Sequence, residues 1–105
     1  MATTTSKALA RTAAATSNTT LYTVPNTSTT AVVTNIVATN TATSSATFTI
    51  NIDSVALLSG VALAANSSAF FDLKQVIPAN ATPKTISGSA SATTVSFHIS
   101  GVEIV

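Results

Sequence analysis

Residues 47–53 read Thr-Phe-Thr-Ile-Asn-Ile-Asp. In an extended chain Phe48, Ile50 and Ile52 point to one face, and Thr47, Thr49, Asn51 and Asp53 to the other. Strict alternation of this kind marks a strand buried on one side and wet on the other. Working outward, the same signal returns in residues 94–105, TVSFHISGVEIV. Val95, Phe97 and Ile99 alternate with Ser96, His98 and Ser100. After Gly101 the apolar phase moves by one, to Val102 and Ile104. A glycine at a phase change predicts a β-bulge at or beside Gly101, so that both halves of the strand face the core.

Upstream, residues 31–40 (AVVTNIVATN) are rich in β-branched side chains. Val33 and Val37 fall on one face, and Val32, Thr34 and Ile36 on the other. This predicts a long strand with apolar character on both sides. Val55–Leu58 and Val61–Ala64 flank Ser59-Gly60, which predicts a tight hairpin. Shorter strands are expected at Leu21–Val24, ending at a Pro25-Asn26 turn, at Ala69–Leu73 and at Lys84–Ser87. Residues 41–45, residues 66–68 and the stretch between Pro78 and Pro83 read as loops, and Gly88–Ala92 as a small-residue connection. The sum is about eight short strands and no strong helix, which predicts an all-β fold, an antiparallel β-sandwich. A closed barrel is the alternative.

Residues 1–19, MATTTSKALARTAAATSNT, stand apart from this domain as a low-complexity Ala/Thr arm. Ala, Leu, Lys and Arg favour a short helix over residues 7–15, although one that short is marginal in isolation. The segment reads either as a disordered tail or as an extended arm that orders along a neighbouring subunit. In the second case Lys7, Leu9 and Arg11 are its contact residues. The division is therefore 1–19, arm, and 20–105, β-sandwich.

With 105 residues the chain has room for one domain. Its charged fraction is 7%, against roughly 25% in an ordinary soluble domain. Thr and Ser supply a third of the residues. Mean hydropathy is +0.50 and net charge +1, the opposite of the low-hydrophobicity, high-charge signature of disorder. A surface so poor in charge has weak protection against association, so much of it is expected to be covered by partners. Lys7, Arg11, Lys74 and Lys84 form no basic run. Binding to nucleic acid or to an anionic membrane is therefore not expected. There is no Cys, hence no disulfide or thiolate metal site. No apolar run approaches the ~18 residues of a membrane helix, and the N-terminus makes a poor signal peptide.

Little in the chain suggests catalysis. Asp53, Asp72, Glu103 and His98 are the available acids and bases, and they form no recognisable constellation. His98, between Phe97 and Ile99, reads as a half-exposed or interface histidine rather than a base or ligand. Glu103 is near enough in sequence to approach it as a surface contact. Gly60, Gly88 and Gly101 make no phosphate-binding fingerprint. Asn18, Asn26, Asn66 and Asn80 begin Asn-x-Ser/Thr triplets, as chance allows in so Ser/Thr-rich a chain. The expectation is a non-enzymatic protein without metal or cofactor. Phe70 and Phe71 are adjacent and must point to opposite faces. One belongs to the core, and the other is a candidate interface anchor. Tyr22 is a further candidate of the same kind.

Leu21–Pro25 (LYTVP), the apolar segment 31–38, Ile77–Asn80 (IPAN) and the terminal strand with Val102–Ile104 (VEI) resemble small virion structural proteins of tailed bacteriophages. Capsid decoration (cement) proteins are the nearest in size and composition. The likeness covers residues 20–105. It implies a β-sandwich present in many copies on the outer capsid surface, bound to the major capsid protein and to itself as a homotrimer. It brings no catalytic residues. Other readings of the same features are a neck, tail or fibre component of the virion, or a carbohydrate-binding module. The absence of Trp and the single Tyr argue against the latter, since sugar sites are usually lined with aromatic side chains.

Overall fold

A computed structural model describes residues 3–25 and 27–105. Asn26 of the expected turn and the first two residues of the expected arm lie outside these. Among the described residues the elements are strands: β1 (Thr4–Ala13), β2 (Thr19–Thr23), β3 (Thr30–Asn40), β4 (Ala46–Ile52), β5 (Val55–Leu63), β6 (Ser67–Ile77), β7 (Thr85–Ala90) and β8 (Val95–Ile104). They form two four-stranded antiparallel sheets, ordered β1-β8-β3-β6 and β2-β7-β4-β5. β1 pairs with β8, β2 with β7, β3 with β6 and β4 with β5. The chain is thus one long hairpin of strand pairs, rolled so that β3 meets β8 and β4 meets β7. This is the double-sheet jelly roll, an open sandwich rather than a closed barrel.

The alternating patterns place the core. Phe48 and Ile50 of β4, Val95, Phe97 and Ile99 of β8, and Ile36 of β3 are buried between the sheets. Phe48 meets Phe97 edge to face at 5.9 Å between ring centroids, and Phe71 at 6.1 Å. These separations fall in the favourable range for T-shaped aromatic pairs.

Four local expectations are corrected. Ser59-Gly60 is not a hairpin turn. β5 runs through it with register shifts against β4, and Gly60, at φ +57°, takes the left-handed conformation of a bulge. The Gly60 amide donates to Thr49 Oγ1 at 3.0 Å. The actual turn is Asp53-Ser54, where φ is 55° and 61°. Two positive values in a two-residue loop match the twist of the strands it joins.

β8 does not bulge at Gly101. Its alternation continues inward through Gly101, and the extra residues lie on its neighbours, at Leu9 of β1 and Thr34 of β3. The Thr34 bulge also resolves the two-sided pattern of residues 31–40. It switches the phase, so that Val33 and Ile36 are both buried.

Gly88–Ala90, expected as part of a connection, complete strand β7. Residues 4–13 are not a helix or a free arm but strand β1, paired along β8. Helix propensity is a weak prior, and here a full ladder of backbone bonds and the burial of Leu9, Ala10 and Ala14 override it. The ends of the chain close the ladder: the Thr3 amide donates to the Val105 carbonyl at 2.8 Å, and the Val105 amide to the Thr3 carbonyl at 2.9 Å.

Candidate interaction surface

Side chains of paired residues in adjacent strands share a face. On the outer side of the β1-β8-β3-β6 sheet, register brings Arg11, His98, Val37 and Phe70 into one row across all four strands. The next row holds Ala8, Ser100, Asn35 and Asp72, and the row beyond it Ser6, Val102, Val32 and Val76. Three of the contact candidates, Arg11, Phe70 and His98, therefore come together although they lie far apart in sequence. Phe70 is 71% exposed and Val76 56%. Val32, Val37 and Val102 are half-buried. The face is an apolar strip with Arg11 at its β1 edge and Asp72 and Lys74 at its β6 edge.

The other candidates have work inside the chain. Leu9 is buried over Gly101, so it is a core residue here and not an arm contact. Phe71 is the inward member of the Phe pair and packs on Phe48. The Tyr22 ring is buried, and its hydroxyl donates to Glu103 Oε2. Lys7 Nζ lies 3.4 Å from Glu103 Oε1. Glu103 thus links β2 of one sheet to β1 and β8 of the other, and it does not approach His98. Burial, then the hydrogen bond to Glu103 and its negative charge, push the Tyr22 phenol well above its ordinary value of 10.0.

The remaining carboxylates are also engaged singly. Asp53 lies 3.4 Å from Lys84 Nζ. Asp72 accepts a hydrogen bond from Asn35 Nδ2 at 3.3 Å. Among the described residues no three His, Asp or Glu side chains gather as a metal site, and no pocket forms.

The outer face of the other sheet is of different character. Thr49, Asn51, Ser87 and Ser89 line it. The side chains there bond to one another and to backbone, as Asn51 Nδ2 does with Asn18 Oδ1 at 3.1 Å.

All four edge strands are irregular. Register shifts fall at Leu9 of β1, Leu21 of β2, twice along β5, and opposite Thr34 in β6. Lys7 and Arg11 sit on β1, and Asp72 and Lys74 on β6. Bulges and charges on edges prevent strand addition by another chain. Association through this molecule is therefore left to its faces and ends.

One buried polar residue, Asn40, is missed by sequence reasoning. Its Nδ2 donates to the Ser44 carbonyl at 2.8 Å, and its Oδ1 accepts from the Ala42 amide and Thr94 Oγ1, each at 3.1 Å. Asn40 ties two loops, residues 41–45 and 91–94, together at one end of the sandwich. In the sequence it reads only as the last residue of a strand.

No protein-family model and no curated protein matches the chain. Among solved structures, a chain of the T13 IBDV viral particle superposes over 98% of this chain with a TM-score of 0.59 and 11% identity. A chain from the infectious bursal disease virus Gx strain covers 99% at a TM-score of 0.49 and 16% identity. This chain spans 30% of the first and 31% of the second. At these identities the likeness is one of fold.

Proposed function

We propose that this chain is a structural subunit of a virion, of the capsid decoration (cement) type, which acts by packing against protein surfaces and catalyses nothing. It binds the outer face of the major capsid protein shell and bridges neighbouring subunits. The observation that carries this reading is a jelly roll with 7% charged residues, which leaves its faces and ends nearly without ionised groups. The fold alone would suit several functions, since jelly rolls serve capsids, lectins and cupins. The like-folded chain in the IBDV particle supports the viral choice, as do the sequence resemblances at residues 21–25, 31–38, 77–80 and 102–104.

The mechanism is burial of uncharged sheet surface. A flat face loses little desolvation energy when few of its groups are ionised. Repetition over a shell adds the strength of many modest contacts. The test is to purify the particles and map the chain on them by labelled antibody and mass spectrometry. Copies spread over the whole shell are expected. A few copies confined to one vertex would transfer the chain to the neck, tail or fibre, and its absence from washed particles would refute a virion role.

A further inference from the structure

We propose that the outer face of the β1-β8-β3-β6 sheet binds a second copy of this chain, face to face, about a two-fold axis parallel to the strands. The face carries its own complement. Arg11 lies on β1 and Asp72 on β6, the two opposite edges of this sheet. A two-fold running between β8 and β3 lays the β1 strand of one copy over the β6 strand of the other. Arg11 then comes over the Phe70 ring, which shares its row, within reach of Asp72 two residues along. Asn35 already holds that carboxylate at the face. The symmetry makes the contact twice, as an isologous interface must.

The middle of the interface is apolar. Val32 and Val102 share a row on β3 and β8, so the axis sets each against the other in the facing copy. His98 meets Val37 in the same way. Lys74, further along β6, faces the uncharged Ala8 and Ser6. Lys7, between those two, pairs with the inward Gly101 and turns to Glu103, away from Lys74.

Size agrees. Four strands at ~4.8 Å spacing and about ten residues at ~3.3 Å give a face of roughly 600 Å². This is about a tenth of the 5417 Å² surface, and two copies bury on the order of 1,200 Å², the lower bound of stable interfaces. The edges are blunted, so stacking rather than edge pairing is the open route. A partner of another kind would have to supply this pattern of charge independently, whereas a second copy already has it.

The resemblance to cement proteins carries a homotrimer. The geometry of this face carries a dimer, and the two are distinguishable in solution without any particle. The full chain and the variants Arg11→Asp and Asp72→Arg are compared by sedimentation equilibrium at low salt, with circular dichroism to show that each retains its sheet. Both sites are exposed, so the fold is expected to survive. The unsubstituted chain should be a dimer. Each variant alone opposes like charges at both contacts and should raise the dimer Kd about tenfold or more. In an equimolar mixture of the two variants, the introduced aspartate of one chain meets the introduced arginine of the other. The second contact keeps its native Arg11 and Asp72, and dimers return. A monomeric or trimeric unsubstituted chain would overturn the proposal, as would a mixture no more dimeric than its components.

Discussion

Leu9 lies over Gly101, so close that a Cβ at position 101 would stand 2.9 Å from Leu9 Cδ1 and 2.1 Å from the Val32 carbonyl oxygen. The bulge of β1 and the bulge of β3 converge on this one residue of β8. Gly101 is therefore fixed by lack of space. Gly101→Ala should cost about 3 kcal/mol or more, since the obstructing group is backbone and cannot rotate away. Urea unfolding measures it, and a loss below about 1 kcal/mol would contradict the close approach.

The same contact changes what removal of the N-terminus should do. A chain lacking residues 1–13 loses the β1 ladder and the buried Leu9 and Ala10. It should unfold or aggregate rather than persist as a sandwich without its arm. Soluble expression with an unchanged thermal midpoint would show that β1 is dispensable.

Tyr22 and Glu103 join the two sheets. Tyr22→Phe leaves a carboxylate with Lys7 alone and should cost about 2 kcal/mol at neutral pH. The raised phenol also sets a sign. The folded state keeps this proton to higher pH than the unfolded chain, whose Tyr titrates at about 10. The stability it contributes is whole below that pH and is lost as pH rises through the folded value. Urea unfolding at neutral pH and at about pH 11 should show the native chain losing more stability than Tyr22→Phe. Equal losses would mean that the Tyr22 phenol is not held in this buried, hydrogen-bonded place.

Asn40 is a fully buried amide with partners on both of its ends. Asn40→Leu preserves volume but orphans the Ala42 amide, the Ser44 carbonyl and Thr94 Oγ1. The expected cost is about 3 kcal/mol, because an unmade buried bond costs more than a made one contributes. Hydrogen exchange should report the loss at the Ala42 amide first. Unchanged protection there would contradict the network.

The strands of this fold are legible where alternation is unbroken, as in Phe48–Ile50–Ile52 and Val95–Phe97–Ile99. Single-residue bulges are where sequence reading goes astray. Leu9 and Thr34 carry no local sign of being the extra residue, since a bulge is defined by the strand beside it. The phase change around Gly101 is visible in the sequence and points to that glycine, whereas the irregularity lies in its neighbours. β1 is hidden because SKALARTA has helix formers and no alternation. The division of Phe70 from Phe71 follows from adjacency alone. The row joining Arg11, His98, Val37 and Phe70 does not, because it depends on strand order, and β1, β8, β3 and β6 are distant in sequence.

The most direct measurement is electron microscopy of the purified particle at a resolution that traces strands. The jelly roll should be found on the outer shell with the Phe70 face of the β1-β8-β3-β6 sheet covered by protein. Particles without this chain, or with that face open to solvent in every copy, would contradict the reading of an uncharged surface made for assembly.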